Sequence, residues 1–186
     1  MKIPPDRLQE LLNAIARVRT LVVGDAMLDE YIWGAAERIS PEAPVMVIRS
    51  ERVSQVPGGA ANVINCLRAL GAGAGLGAVI GQDEAGQILR QRLTEAGAEP
   101  VLLIVDPDRP TTVKTRVVAH SQQVLRIDRE VRRPLSAALA AALDQAANEA
   151  LASCDGLLLS DYDKGVLTPD SVPPLLASAR ARGVRV

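Results

Sequence analysis

Two kinds of hydrophobic pattern alternate along the 186-residue chain. Short, continuous apolar runs, which are typical of buried parallel strands, occur at 20–25, 74–81, 154–161 and 183–186. Segments with helical spacing of apolar residues lie between them, at 59–70, 83–96, 135–152 and 169–182. Strands of this kind that alternate with helices predict an α/β fold, in which helices cover both faces of a parallel sheet.

A second pattern interrupts the first. Apolar and polar residues alternate, or β-branched residues are frequent, in 30–40, 43–54, 101–107, 111–121 and 122–130. No helical segment separates 111–119 from 122–128, so the residues HSQ at 120–122 predict a hairpin turn. We therefore expect a small antiparallel sheet that projects from the core. The core would comprise about 1–27, 54–100 and 130–186, and the small sheet about 28–53 and 101–129.

Composition and charge narrow the class of protein. The net charge of −1 gives no reason to expect nucleic acid or an anionic membrane as a partner. No apolar run approaches the roughly 20 residues of a membrane-spanning helix, and the N-terminal segment 1–20 has the pattern of a polar amphipathic helix rather than a signal peptide. We expect a cytoplasmic protein. His120 is the only histidine, so a Ser-His-Asp mechanism would have to use it.

Acidic residues follow two of the predicted core strands. Asp25 ends the first strand, with Asp29 four residues later, and Asp161 ends the strand at 154–161, close to Lys164. In open α/β sheets, ligands bind outside the carboxyl ends of the strands. A carboxylate there could accept hydrogen bonds from neighbouring hydroxyls of a polyol or sugar. Each acid could also be a cap or turn residue.

Two adjacent glycines precede the helix predicted at 59–70. Gly58 and Gly59 match neither the G-x-G-x-x-G fingerprint nor the phosphate-binding P-loop. Together with Asn62 they could offer a flat backbone surface and an amide group to a ligand. A tight turn without any ligand is the alternative interpretation.

Three cations are expected on one face of the predicted hairpin. Lys114 and Arg116 are two residues apart on one strand, and Arg126 lies on the next. Such a group suits a phosphate, to which arginine binds well. The alternative is a solvated face whose charges protect the edge of the sheet.

Six stretches in this order carry a family resemblance: GDAMLDEY, RISPEAPV, PGGAANV, RPTTVKTRV, QQVLRID and SDYDKGVLTP. From about Thr20 onward the chain resembles the ribokinase-like carbohydrate kinases of the phosphofructokinase B type. RISPEAPV and SDYDKG together resemble most closely the D-glycero-β-D-manno-heptose 7-phosphate kinases, which form the kinase part of the ADP-heptose synthesis enzyme. The resemblance concerns the N-terminal part of that kinase domain.

The resemblance implies transfer of the γ-phosphate of Mg-ATP to the anomeric hydroxyl of heptose 7-phosphate. The 1,7-bisphosphate would serve the synthesis of ADP-heptose and the lipopolysaccharide core. Gly58, Gly59 and Asn62 would line the sugar pocket, and Asp25 would hold sugar hydroxyls. The small sheet would be a lid and the contact of a homodimer. The sugar phosphate would meet Lys114, Arg116 and Arg126.

The same resemblance limits what can be assigned. The family's catalytic aspartate and most of its ATP and metal sites are expected beyond Val186, so no catalytic residue and no metal ligand is assigned, and we expect the 186 residues alone to be inactive. Another ribokinase-like kinase, acting on fructose, ketodeoxygluconate or a nucleoside, is an alternative. A truncated, non-catalytic module that binds sugar phosphates or dimerises is a second, and the glycine spacing disfavours a nicotinamide oxidoreductase.

Overall fold

The computed structural model describes residues 3–186. Helix α1 (Pro5–Ile15) is followed by strand β1 (Arg19–Gly24). The further elements, in chain order, are β2 (Ala26–Ile39), β3 (Met46–Gly59), α2 (Ala60–Ala69), β4 (Gly73–Gly81), α3 (Glu84–Glu95), β5 (Val101–Asp106), β6 (Val113–Ala119), β7 (Gln122–Arg129), α4 (Ala137–Ala150), a 3-10 turn (Leu151–Ser153), β8 (Gly156–Ser160) and α5 (Val172–Ala181). None of the helices within residues 3–186 has the length and hydropathy needed to cross a membrane.

A parallel sheet of four strands forms the core, in the order β5-β4-β1-β8. Successive residues of β1 face opposite sides of it, as the strand period requires. Val22 packs in a cluster with residues of α2 and α3, whereas Leu21 and Val23 pack in a second cluster with residues of α4 and α5. Both faces of the sheet are therefore covered by helices, and the predicted α/β fold is confirmed.

A second sheet, which we call the lid, has the order β3-β2-β6-β7. The pairs β2–β3 and β6–β7 are antiparallel, whereas β2 and β6 run parallel. His120 and Ser121 both have positive φ in the turn that joins β6 to β7. This is the backbone conformation of a tight two-residue hairpin loop, and it confirms the predicted turn.

The assignment of the segment from residue 101 to 106 to the small sheet is wrong. Residues Val101–Asp106 pair in parallel with Leu76–Gly81 and form the edge strand of the core. Residues 101–105 form a continuous apolar run, VLLIV, like those of the central strands, although only part of this edge strand is buried. The last predicted strand, at 183–186, is reduced to one bridge between Gly156 and Arg185.

Candidate functional site

The candidate site lies where the lid joins the carboxyl ends of the core strands. Gly24 and Ser160, the last residues of β1 and β8, are paired neighbours in the sheet. Strand β2 leaves the core at Ala26, and Gly59, at the end of β3, pairs with it. Asp25 and Gly59 therefore lie at the carboxyl ends of the core strands, where ligands bind in this fold class.

Asp25 is only 1% exposed and organises the loop that follows β8. Its Oδ2 accepts hydrogen bonds from the backbone N–H of Tyr162 at 2.8 Å and of Lys164 at 3.1 Å. Its Oδ1 accepts one from the N–H of Val166 at 3.2 Å. The carboxylate thus satisfies three backbone N–H groups of one loop, which would otherwise lack a hydrogen-bond partner. A contact between Asp25 and sugar hydroxyls stays a prediction.

The two glycines allow the lid and the core to approach closely. A Cβ atom on Gly59, whose φ is +56°, would collide with the carbonyl oxygen of Asp25, and a Cβ on Gly58 would collide with the carboxylate of Asp29. That carbonyl of Asp25 also accepts the N–H of Ala60, the first residue of α2. The backbone at Gly58 and Gly59 therefore fits directly against the predicted site residues.

Asp29 and Arg116 form an ion pair on one face of the lid. Arg116 Nη1 donates to Asp29 Oδ1 at 2.6 Å, and this hydrogen bond to Asp29 raises the pKa of Arg116. The guanidinium also lies 5.3 Å from the centre of the Tyr31 ring. Arg116 and Arg126 are direct cross-strand partners, so the predicted proximity of these two cations is confirmed.

Carboxylates accompany every cation of the predicted cluster. Lys114 Nζ lies 2.8 Å from Asp128 and 3.1 Å from Glu130, and Arg126 Nε lies 2.8 Å from Asp128. Lys164, from the loop after β8, lies 3.2 Å from the same Glu130 oxygen as Lys114. The predicted cluster is thus an alternating network of charges rather than a purely cationic face.

Burial would raise the pKa of Glu130, but hydrogen bonds from Arg132, Lys114 and Lys164 outweigh this effect and lower it to about 2. Glu130 was not among the residues singled out from the sequence. It directly follows β7, and only the pairing of β6 with β7 places it beside Lys114. The strand register, rather than any motif, is the signal that could have found it.

Arg109 was also missed. Its side chain is 6% exposed and forms an ion pair with Asp106 at 2.8 Å. The other guanidinium nitrogens donate to the carbonyl of Lys164 at 3.3 Å and to that of Arg133 at 3.1 Å. Arg109 therefore fixes the carbonyl side of the same loop whose N–H groups Asp25 holds.

Within residues 3–186, no side-chain hydrogen bond or ion pair joins the remaining predicted residues, Asp161 and Asn62, to the side chains described above. Asp161 Oδ1 accepts the backbone N–H of Asp163 at 2.8 Å, which is a local turn at an exposed position. Asn62 is exposed in the first turn of α2. Their proposed contacts with a sugar stay predictions.

The sequence model of the pfkB family carbohydrate kinases matches residues 19–168. The chain belongs to this family. That match includes β1, the lid strands and the loop that carries Lys164, and therefore all of the site described above.

Several curated relatives carry the name "Bifunctional protein HldE". The protein of that name from Pelobacter propionicus is 45% identical over 179 residues, which are 96% of this chain and 37% of the relative. The one from Caulobacter vibrioides is 49% identical over 179 residues, or 96% of this chain and 36% of the relative. The chain thus spans little more than a third of the length of these relatives.

Solved structures show the same fold at low identity. A carbohydrate kinase from Agrobacterium tumefaciens aligns with a TM-score of 0.66 and 23% identity, over 89% of this chain and 51% of that one. Phosphofructokinase-2 from Escherichia coli in complex with fructose-6-phosphate aligns with a TM-score of 0.66 and 20% identity, over 91% and 53%. The ribokinase-like fold, present here in part, is confirmed.

A carbohydrate kinase requires ATP and usually a divalent metal ion. Between residues 3 and 186 no three His, Cys, Asp or Glu side chains come together as a metal site. The carboxylates nearest the site, Asp29 and Glu130, are each paired with cations. The described residues therefore do not fit a metal ion.

Proposed function

We propose that this chain is the sugar-binding and lid part of a kinase for D-glycero-β-D-manno-heptose 7-phosphate. ATP supplies the phosphoryl group. A new bond forms between the anomeric oxygen and the γ-phosphorus, the bond from that phosphorus to ADP breaks, and the hydroxyl loses its proton. The product is the 1,7-bisphosphate, which ADP-heptose and lipopolysaccharide core synthesis would consume. ATP and the sugar phosphate would meet in the cytoplasm.

The observation that carries this proposal is the contact of Asp29 with both Gly58 and Arg116. A carboxylate that reaches bare backbone is suited to accept hydrogen bonds from sugar hydroxyls, and an arginine beside it is suited to bind a phosphate on the same molecule. The motifs RISPEAPV and SDYDKG, and relatives that share one name over more than nine-tenths of the chain, support the heptose branch of the family.

The residues of this chain would bind and orient the substrate. Asp29 would accept sugar hydroxyls next to the backbone of Gly58. Arg116 would donate to the 7-phosphate, with Arg126 as the exposed cation beside it, and Lys164 would add positive charge from the core. Asp25 and Arg109 would hold the loop of Lys164 in place. No residue of this chain is assigned as the base that takes the proton.

Calorimetric titration of the complete gene product with heptose 7-phosphate tests the proposal. Unphosphorylated heptose and fructose 6-phosphate serve as controls, and ATP turnover is measured with each. We expect tight binding and turnover with heptose 7-phosphate alone. A preference for fructose 6-phosphate would favour another kinase of the family, and binding without turnover would favour a non-catalytic sugar-phosphate module.

We further propose that a second copy of the chain packs against the outer face of the lid. Residues that alternate with Tyr31 and Arg116, such as Ile32 and Val117, point to this opposite face. A groove of about 640 Å³ on it is lined by Ile32, Val45, Met46, Ile48, Ser50, Val117, Val124 and Leu125.

A substitution of Leu125, which is 53% exposed, tests this contact. Light scattering should show a dimer for the complete gene product and a monomer for Leu125→Asp; a wild-type monomer would contradict the proposal.

A further inference from the structure

Tyr31 and Trp33 form an aromatic stack on the face of the lid that carries Asp29. Their rings lie 5.7 Å apart at an interplanar angle of 16°. They are two of only three aromatic residues in the chain, which has two Tyr, one Trp and no Phe. The buried core consists mainly of Leu, Val, Ile and Ala, and neither Tyr31 nor Trp33 belongs to it. Their position on the lid therefore calls for a separate explanation.

The stack ends in a cation on either side. Arg116 lies 5.3 Å from the centre of the Tyr31 ring, and Arg52 lies 4.9 Å from that of Trp33. Trp33 is itself fixed, because its Nε1 donates to Ser54 Oγ at 3.1 Å. Tyr31 is thus held between an anchored ring and a guanidinium, and its orientation is set before any ligand binds.

We propose that Tyr31 is a positioning residue that presents Arg116 to the phosphate of the substrate. This inference rests on the proposed function. Asp29 fixes one edge of the guanidinium through Nη1, and the Tyr31 ring supports its plane. A guanidinium held along both an edge and a face retains little freedom to turn away.

The remaining donors of Arg116 are suited to an anion. Among residues 3–186, Nη1 makes hydrogen bonds to Asp29 and to the carbonyl of Lys114, whereas Nε and Nη2 make none. The side chain is 21% exposed, so these donors have access to a ligand. Arginine binds phosphate through two parallel N–H groups, which requires a defined plane. Tyr31 would supply that plane without contacting the substrate phosphate itself.

The test compares the binding of phosphorylated and unphosphorylated heptose to the complete gene product. The ratio of the two dissociation constants, which we call phosphate selectivity, is measured by calorimetry for the wild type, Tyr31→Leu, Tyr31→Phe and Arg52→Gln. We expect Tyr31→Leu to lower phosphate selectivity about tenfold, as loss of a cation–π contact implies. Binding of unphosphorylated heptose should be unchanged.

The other two variants separate positioning from a general effect on the lid. Tyr31→Phe keeps the ring and should keep the selectivity. Arg52→Gln removes a cation from the far end of the same stack and should also leave it unchanged. Should Tyr31→Leu fail to fold, Tyr31→Ile replaces it, because β-branched residues suit a strand.

Three results would overturn the inference in distinguishable ways. A wild-type protein that binds both sugars equally would refute the proposed function and this inference with it. If the wild type prefers the phosphorylated sugar and Tyr31→Leu has the same phosphate selectivity as the wild type, only the role of Tyr31 is refuted. Loss of selectivity in Tyr31→Phe as well would show that the hydroxyl, and not the ring, is responsible.

Discussion

Glu130 of the lid connection and Lys164 of the core loop form an ion pair at 3.2 Å, with side chains that are 13% and 9% exposed. The same oxygen of Glu130 also lies 3.1 Å from Lys114, on strand β6 of the lid. One carboxylate therefore connects a lysine of the lid to a lysine of the core. Without it, two largely buried ammonium groups would face each other, which is costly in a protein interior.

This carboxylate should make stability depend on pH. The pKa of Glu130 is about 2 in the folded protein, against an ordinary value of 4.5. A group whose pKa is lower in the folded protein stabilises the folded state at pH values above its pKa in the unfolded chain. This stabilisation is lost as the pH falls through the pKa of the folded protein. We expect the wild type to be more stable than Glu130→Gln by about 1–3 kcal/mol at pH 7. The difference should disappear between about pH 5 and pH 2, measured by urea unfolding at several pH values.

Glu95→Gln is the matched control. Hydrogen bonds from Gln91 and Arg92 lower the pKa of Glu95, but that side chain is 48% exposed. Solvent screens such a pair, so the substitution should change the pH profile much less. Equal profiles for the wild type and Glu130→Gln would show that the two lysines find other partners.

The ion pair of Arg109 with Asp106 should be essential for stability. Arg109→Met leaves the Asp106 carboxylate, which is 5% exposed, without its closest cation and leaves the carbonyls of Lys164 and Arg133 without this donor. Breaking a buried pair costs about 3–5 kcal/mol. Urea unfolding should show a loss of this size, whereas Arg92→Met, which breaks the exposed pair with Glu95, should cost about 1 kcal/mol or less. Similar losses would refute a structural role for Arg109.

The sequence predicted much of this fold because its signals are local. Continuous apolar runs identified β1, β4 and β8, and the helical spacing at 83–96 identified α3, whose N-cap Asp83 accepts the N–H of Gly86 at 2.9 Å. Strand β5 was misassigned although its residues 101–105 are continuously apolar, because its β-branched residues also suit a lid strand and no helix separates it from β6. The hydrophobic pattern of a strand indicates which of its faces is buried, but it does not indicate which strand it pairs with.

The site was predictable only in part, for a related reason. Asp29, Gly58 and Arg116 lie in motifs and do come together. Glu130 and Arg109 act through partners that are 34 and 55 residues away in sequence, Lys164 and its carbonyl. Such contacts depend on the pairing of the strands and the path of the connections. No spacing within one segment could indicate them.

Asp25→Asn should distinguish a structural role from a sugar contact. An amide has only one acceptor oxygen, so its NH₂ group would face at least one backbone N–H of the loop from Tyr162 to Val166. Because hydrogen bonds to charged groups contribute about 1.5–3 kcal/mol each, we expect a clear loss of stability in urea unfolding. A variant of unchanged stability that no longer binds sugar would instead show that the carboxylate contacts the substrate.

Gly59→Ala tests the close approach of the lid to the core. The residue combines φ of +56° with a position at which a Cβ would collide with the carbonyl oxygen of Asp25. Gly183 is the matched control, since its φ is +69° and a Cβ there would meet nothing within 4 Å. Gly183→Ala should cost about 1–2 kcal/mol, the conformational term alone. Gly59→Ala should cost about 1–3 kcal/mol more, because the carbonyl that binds the first N–H of α2 would have to move. Urea unfolding gives both values. Equal losses would mean that the junction between lid and core adapts freely, and that the second glycine is needed only for its backbone conformation.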